Sequence, residues 1–311
     1  MASGYYGEQR GGPNLARLAP IIIALIPIAM MAIRGCQEGP FGRRQVVAIN
    51  PQEEATLGTQ AFQQVLAENR SNLIGGSELE TVRRVGERIA AVSNDPDILK
   101  ATKLAKQNFK WEFRVVANKQ LNAFCLPGGK VVVYTGILPV CKTEAGLATV
   151  MGHEIAHALA HHGAERMAQQ KMVDVGRVGL TVAFADLPPE KQMQMQAILG
   201  AGANFGILLP FSRSHESEAD RIGLYLMASA GYDPHEATRF WVRMQEASKG
   251  GGSPPEFMST HPSSNRRSAD LREWAPEAMP FYEKSRFRSD RDPLLPRAGS
   301  APAEPFTNRF R

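Results

Sequence analysis

Apolar residues recur with helical spacing along most of the chain and alternate in only one short region. The helical pattern predicts helices over residues 51–69, from Ser77 through Val92, from about Thr143 to His161 or beyond, from Ser212 to about Ala230, and after Pro234 as far as Lys249–Gly252. At the second of these helices, Ser77 and Glu80 have the spacing of a capping box.

The alternating region lies directly before the helix at Thr143. Residues 111–117 alternate and are rich in β-forming side chains, which predicts a strand. Residues 122–138 predict two short strands joined at Pro127–Gly129. The expected fold class is therefore α+β and mostly α, with a small antiparallel sheet preceding the long helix.

An uncharged apolar run extends from Leu18 to Ile33. As a helix it would reach about 24 Å, which is short of the ~30 Å hydrocarbon core of a bilayer. Three interpretations compete for residues 18–36: a lipoprotein signal cleaved before Cys36, an uncleaved short membrane anchor, or a buried core helix. We favour membrane attachment because the run has no amphipathic face.

The rest of the chain divides into a folded part and two ends. Residues 1–17 and the Pro-containing basic segment 284–311 lack periodicity and are expected to be disordered. Residues 46–283 are expected to form one domain. Within it, two apolar stretches in 172–211 predict helices packed on the core, with a flap over the site or a membrane-dipping hairpin as alternatives.

Composition adds two exclusions. The net charge of +5 is carried by the two ends, so the folded part has no basic excess, and we expect no nucleic-acid partner. The 3 cysteines are too few and too irregular for a disulfide framework or a cysteine-rich zinc module.

The chemistry is concentrated on the predicted helix at Thr143, which carries His153, Glu154 and His157. Residues at i and i+4 share a helix face, so both imidazoles can reach one zinc ion. Glu154 is placed to take a proton from the attacking water instead of binding the metal. This pattern predicts a zinc hydrolase with Glu154 as general base.

A catalytic zinc site needs a third protein ligand. The metzincin extension is absent, because Ala160 and Gly163 stand where its glycine and histidine would be. Histidines 161 and 162 are interpreted as a solvated pair at a helix end. Glu216 and Asp220 share a face of a later helix, so one can bind zinc while the other accepts a hydrogen bond from a ligating histidine.

Several motifs occur together and in order: His-Glu-Ile-Ala-His from 153, Ser212-Arg213, Glu-Ser-Glu-Ala-Asp from 216, Gly-Tyr-Asp-Pro from 231, and Ser-Thr-His-Pro from 259. Together they resemble the HtpX/BepA peptidase family, whose relatives include the type I CAAX prenyl proteases and the mitochondrial OMA-type protease. The resemblance covers roughly residues 50–275.

The resemblance implies a gluzincin fold with one zinc ion. It implies His153, His157 and Glu216 as ligands, Glu154 as catalytic base and Asp220 as the acidic partner of a ligand. Glu218 is the rival third ligand, and His261 is a candidate metal-proximal gate. The family usually has a small apolar residue where this chain has Cys125.

The implied function is an endopeptidase for unfolded or misassembled proteins, acting in membrane or envelope quality control. The substrate would pair with an exposed sheet edge. The resemblance also suggests a bacterial membrane, with the catalytic domain on the extracytoplasmic side. The alternative is a chaperone-like protein that keeps the fold but has little or latent hydrolytic activity.

Overall fold

The computed structural model describes residues 19–185, 187–194, 211–248, 256–261, 266–289 and 292–296. Helices run over Ala19–Gly35 (α1), Pro51–Glu68 (α2), Gly76–Val92 (α3), Pro96–Thr102 (α4), Leu138–Cys141 (α5), Glu144–Leu159 (α6), His162–Ala183 (α7), Arg213–Ser229 (α8), His235–Ser248 (α9), Glu256–Thr260 (α10) and Arg267–Lys284 (α11). Strands run over Cys36–Glu38 (β1), Arg44–Val46 (β2), Leu73–Ile74 (β3), Glu112–Val116 (β4), Ala123–Leu126 (β5) and Lys130–Tyr134 (β6). The predicted α+β, mostly α, architecture is confirmed.

The main sheet has the strand order β3-β4-β6-β5. β5 and β6 form the predicted antiparallel hairpin, but β6 lies parallel to β4. The expected purely antiparallel sheet is therefore wrong, and the sheet is mixed. The reason is burial: β6 is buried over nearly its whole length and takes the central position, whereas the half-buried β5 lies at the edge.

Helix starts show where local signals succeed and fail. The predicted helix from Ser212 is confirmed as α8, and Ser212 caps it by accepting a hydrogen bond from the His215 amide. The predicted capping box at Ser77 is wrong, since α3 begins at Gly76 and its N-cap residue makes no side-chain hydrogen bond. The Ser77 hydroxyl donates instead to the neighbouring Glu78 carboxylate at 3.0 Å.

The N-terminal apolar run forms α1, which packs along α7. The contact is close because a Cβ at Gly179 would lie 2.4 Å from the Cβ of Ala24. Large apolar side chains on the other faces are exposed, among them Ile23 at 64% and Ile33 at 77%. Among the described residues, none of the helices combines the length and apolar character that crossing a membrane requires, so the predicted transmembrane helix is not supported.

Helix α6 runs through the core and is buried along its whole length. It packs most extensively on α8, where Gly152 and Gly223 let the two backbones approach. The first part of the 172–211 segment continues α7 to Ala183 as a helix, as predicted, but it packs along α1 and leaves Val178 64% exposed instead of packing on the core. Residues 195–210 lie outside the described residues.

The start of α6 is covered by residues 292–296. The Asp292 carboxylate accepts from the Ala145 amide at 3.0 Å, and the Pro293 carbonyl accepts from the Glu144 amide at 2.9 Å. Leu294 forms a β-bridge with Thr143. Residues 292–296 thus pack against the start of α6 in the described structure.

Candidate metal centre

Four buried side chains from three parts of the chain meet beside α6. His153 and His157 come from α6, Glu216 from α8, and His261 follows α10, and their candidate ligand atoms all lie within 4.8 Å of one another. The structure thus brings the three predicted ligands together and adds His261, the candidate gate, to the same cluster.

The ring nitrogens of the histidines in the cluster lie close to one another and to the Glu216 carboxylate. The Nε2 atoms of His153 and His157 are 3.1 Å apart. Nδ1 of His261 lies 3.4 Å from Nε2 of His153 and 2.9 Å from Oε1 of Glu216. Nε2 of His157 lies 3.4 Å from the same Glu216 oxygen.

Burial keeps the α6 histidines neutral, because it lowers the pKa values of both His153 and His157 well below the ordinary imidazole value. Burial acts to raise the pKa of Glu216, but hydrogen bonds with His157 and His261 hold it well below the ordinary carboxyl value. Neutral imidazoles and an ionised carboxylate at these separations are a donor set that fits zinc.

Glu154 lies beside this cluster and is 3% exposed. Its Oε1 atom has no hydrogen-bond partner among the residues that the structure describes, and it lies 3.5 Å from Nε2 of His261. Burial raises the pKa of Glu154 to about 7. A carboxylate with this pKa can both accept and return a proton near neutral pH.

His153 is supported from behind by Asp220 and by a buried arginine that the sequence did not reveal. Oδ1 of Asp220 lies 3.0 Å from Nδ1 of His153. Arg267 donates from Nη2 to Asp220 at 2.7 Å and from Nη1 to Glu216 at 2.9 Å, and its Cζ lies 3.4 Å from the ring centroid of Trp241. Burial raises the pKa of Asp220 to about 6, against the opposing effect of Arg267. Neither the spacing nor the periodicity of the sequence indicates that Arg267 contacts residues of α8. Its role at the site becomes visible only in the structure, where Arg267 is buried.

The interpretation of histidines 161 and 162 as a solvated pair is wrong. His162 is fully buried, with Nδ1 at 3.0 Å from Nδ1 of His157 and Nε2 at 3.0 Å from Oε2 of Glu218. Burial lowers the pKa of His162 to about 4, so its ring is neutral. His161 directly precedes α7 in a left-handed conformation, and its Nδ1 lies 2.7 Å from Oε2 of Glu54. Glu218, the rival third ligand, thus lies against His162 and not in the four-residue cluster.

Two further residues enclose the site. The ring of Phe211 lies 4.1 Å from that of His157 and 5.3 Å from that of His261, and its amide donates to the Thr260 carbonyl at 3.1 Å. A backbone hydrogen bond from Cys125 acts to lower the pKa of Glu154, so the edge strand β5 lies directly beside this carboxylate.

Comparison with known proteins connects this geometry to a family. The profile of peptidase family M48 matches residues 79–275, which is more than half of the chain. The mitochondrial metalloendopeptidase OMA1 of Schizosaccharomyces pombe is 40% identical over 255 residues, which cover 81% of this chain and 70% of the relative. Its human counterpart is 36% identical over 177 residues, which cover 56% and 34%. The beta-barrel assembly-enhancing protease of Escherichia coli is 32% identical over 178 residues, which cover 56% and 36%.

These matches confirm the resemblance drawn from the motifs and correct one expectation. The chain spans about two thirds of the fission-yeast relative and about a third of the human and bacterial ones. The expected bacterial location is wrong, because the relatives that are 36–40% identical are eukaryotic mitochondrial proteins, and the bacterial proteases match at 32–34%.

Proposed function

The chain belongs to peptidase family M48 and is a metalloendopeptidase, and on that premise we propose that it uses one zinc ion to cleave unfolded or misassembled proteins. The observation that carries this proposal is the buried Glu154 oxygen that has no hydrogen-bond partner among the described residues and lies beside the cluster of His153, His157, Glu216 and His261. A site that only stabilises the fold has no need of a carboxylate held without a partner.

We propose His153, His157 and Glu216 as the residues that hold the zinc. When bound there, zinc supplies Lewis acidity to the peptide carbonyl and lowers the pKa of the attacking water. Glu154 accepts a proton from that water and returns it to the departing amine. Asp220, held by Arg267, lies 3.0 Å from Nδ1 of His153 and would accept its hydrogen when Nε2 binds the metal, although Nη2 of Arg267 also lies 3.1 Å from this nitrogen.

The substrate would bind as an extended strand along β5. This strand pairs only with β6 in the described sheet, so its other edge is available for main-chain hydrogen bonds. The Cys125 backbone forms a hydrogen bond with Glu154. A peptide bound along this edge would therefore lie next to Glu154, the proposed proton acceptor. An edge that recognises backbone groups selects extended chains, which supports unfolded proteins as substrates.

One observation favours the second candidate function, a chaperone-like protein with latent hydrolytic activity. His261 lies where it supplies a fourth donor to the cluster, and Phe211 covers His157. Both would have to move before a substrate carbonyl could enter. His261 is accordingly proposed as the gate, and the apolar, exposed surface of α1 as the site of attachment to a membrane surface.

The test compares the full chain with Glu154→Gln for zinc content and for hydrolysis of casein. We expect about one zinc per chain in both proteins, and a loss of hydrolysis of at least about 100-fold in the variant, since general base catalysis contributes 10²–10⁴. Equal hydrolysis by both proteins would disprove the role of Glu154. If both bind zinc and neither cleaves, the latent alternative is supported, and His261→Ala should then release activity.

A further inference from the structure

A buried network lies behind His157, on the side away from the metal cluster. It consists of His162, Glu165, His215, Glu218 and Arg43. The rings of His162 and His215 stack with centroids 4.4 Å apart, and each ring contacts one of the two carboxylates. The proposed mechanism uses none of these five side chains, although four of them are buried.

Arg43 joins the network from a distant part of the sequence. It lies just before β2, outside residues 79–275 that match the family profile. Its Nε atom donates to Oε1 of Glu218, and its Nη1 and Nη2 atoms donate to the two oxygens of Glu165 at 2.9 Å and 2.7 Å. One guanidinium thus donates to two carboxylates at once by using its planar set of donors.

The hydrogen bonds of this network can be oriented in only one way if His157 is to bind a metal. A neutral imidazole carries one hydrogen and one lone pair. When a metal is bound, Nε2 of His157, which faces His153 and Glu216, must direct its lone pair at the metal, so the hydrogen must be on Nδ1. That hydrogen is donated to Nδ1 of His162, 3.0 Å away.

His162 must then carry its own hydrogen on Nε2, which donates to Oε2 of Glu218 at 3.0 Å. The N–H at Nε2 of His162 needs an acceptor, and Oε2 of Glu218 supplies it. The other carboxylate oxygen, Oε1, accepts from Arg43. The reverse orientation would place the hydrogen of His157 on Nε2, directed at His153. It would also leave Nε2 of His162 without a hydrogen against a carboxylate.

We propose that Arg43 is a positioning residue of the metal centre, which acts through Glu218 and His162 to hold the metal-binding nitrogen of His157 in place. The segment Cys36–Val46, which follows α1, is therefore part of the catalytic unit. The inference rests on the proposed zinc-binding role of His157. His153 has a shorter equivalent, in which Asp220 and Arg267 take the places of Glu218 and Arg43.

The test measures zinc affinity of the full chain by competition with a chromophoric chelator. Arg43→Ala should weaken zinc binding by about 10–100-fold, as expected when an outer hydrogen-bonding partner of a ligand is lost. Arg44→Ala is the matched control. Arg44 is the next residue, its side chain is exposed, and the hydrogen bond of that side chain in the described structure is to Cys36 at 3.4 Å, away from the network, so its loss should change affinity by less than twofold.

A double-mutant comparison tests the route from Arg43 to the metal centre. If Arg43 acts through Glu218, the double variant Arg43→Ala/Glu218→Gln should have nearly the same zinc affinity as the weaker-binding of the two single variants. We expect the two affinities to differ by no more than about twofold. Fully additive losses would overturn this route. Arg43→Lys keeps the charge but not the planar set of donors, so it should lie between wild type and Arg43→Ala.

Two outcomes separate this inference from the proposed function. If wild type binds zinc and Arg43→Ala binds it equally tightly with an unchanged circular dichroism spectrum, the positioning role is disproved and the proposed function stands. If wild type binds no zinc, the proposed function itself fails. If Arg43→Ala does not fold, Arg43→Lys and Glu218→Gln decide, and unchanged zinc affinity in both of these variants overturns the inference.

Discussion

Glu165 shows how strongly a single residue depends on the charges around it. It is buried, receives hydrogen bonds from both Nη atoms of Arg43, and lies 3.0 Å from Nε2 of His215. Burial acts to raise the pKa of Glu165, but the hydrogen bonds with His215 and Arg43 outweigh it and lower the pKa from 4.5 to about 2. The ionised form is therefore stabilised in the folded protein relative to the unfolded chain.

The depressed pKa predicts a pH dependence of stability. Because the folded-state pKa lies below the unfolded value, the stabilisation is complete above about pH 4.5 and is lost as the pH falls towards 2. Glu165→Gln should therefore lower the free energy of unfolding at pH 7 by up to about 3 kcal/mol. The difference from wild type should shrink between pH 4.5 and pH 2. Urea unfolding followed by circular dichroism at several pH values measures it.

The control for this prediction is Glu283→Gln, which alters an exposed carboxylate on α11. It should change the free energy of unfolding by less than about 0.5 kcal/mol at every pH. A difference between wild type and Glu165→Gln that stays constant down to pH 2 would contradict the linkage of Glu165 ionisation to folding.

At the residue scale, the sequence predicted groups whose spacing is local and missed groups whose partners are distant. His153, Glu154 and His157 are recognisable because one helix turn brings them together. The predicted solvent exposure of His162 is wrong because no residue near it in the sequence indicates its contact with Glu218, which lies 56 residues later. Arg43 and Glu218 are 175 residues apart, so only the folded chain reveals their contact.

At the level of elements, α2 is fixed against the turn that joins β5 and β6. Gly58 faces this turn, and a Cβ there would lie 2.1 Å from the Pro127 carbonyl oxygen. Gly58 is thus an interior helix glycine whose missing side chain is required by a backbone contact. Since β5 is the proposed substrate edge, the position of α2 bears on substrate binding as well as on stability.

Gly58→Ala should therefore destabilise the protein, although alanine is the better helix former. The overlap is with backbone, which cannot rotate away, so we expect a loss of about 1–3 kcal/mol, the usual range for overpacking. The KM for an extended peptide should rise more than kcat falls, because the substrate edge moves while Glu154 and the metal cluster do not. Thermal unfolding and steady-state kinetics measure the two effects.

Gly163→Ala is the matched control, because position 163 is also a helix glycine and has open space around it in the described structure. It should be neutral or stabilising by up to about 1 kcal/mol. If both substitutions stabilise the protein equally, the contact between α2 and the hairpin is not as close as the structure places it.

The sequence predicted elements better than their arrangement. The N-terminal ends of α6 and α8 follow from local sequence, since Thr143 and Ser212 are their N-cap residues. The position of β6 does not, because alternation identifies a strand without naming its neighbour. β6 is central since both of its faces are covered, with Val132 in a smaller cluster with Phe62 and Val131 in the main core.

At the scale of the whole molecule, the metal cluster connects three parts of the chain that are distant in sequence. Its side chains come from α6, from α8 and from the end of α10. Arg267 adds α11, and the network behind His157 adds the segment before β2. Side chains from α6, α7, α8, α11, the end of α10 and the segment before β2 thus contribute to the geometry of one site.

This arrangement predicts that zinc stabilises the entire fold. A ligand that binds only the folded state adds about 4 kcal/mol to the free energy of unfolding when its concentration is 1,000 times the dissociation constant. The unfolded chain cannot hold His153, Glu216 and His261 within reach of one ion, so it gains little. For a protein of this size, the midpoint of thermal unfolding should rise on the order of 5–10 °C when zinc is added to chelated protein.

Glu154→Gln separates binding from catalysis in this experiment, because Glu154 is the proposed base and not a proposed ligand. It should show the same rise with zinc as wild type, whereas His153→Ala should show little or none. Magnesium at the same concentration should leave the midpoint unchanged, since it prefers oxygen ligands in an octahedral arrangement to imidazole nitrogens. A wild-type protein whose midpoint does not respond to zinc would show that the four buried side chains meet for a purely structural reason. The four side chains would then be held together by their hydrogen bonds to one another and would not form a metal-binding site.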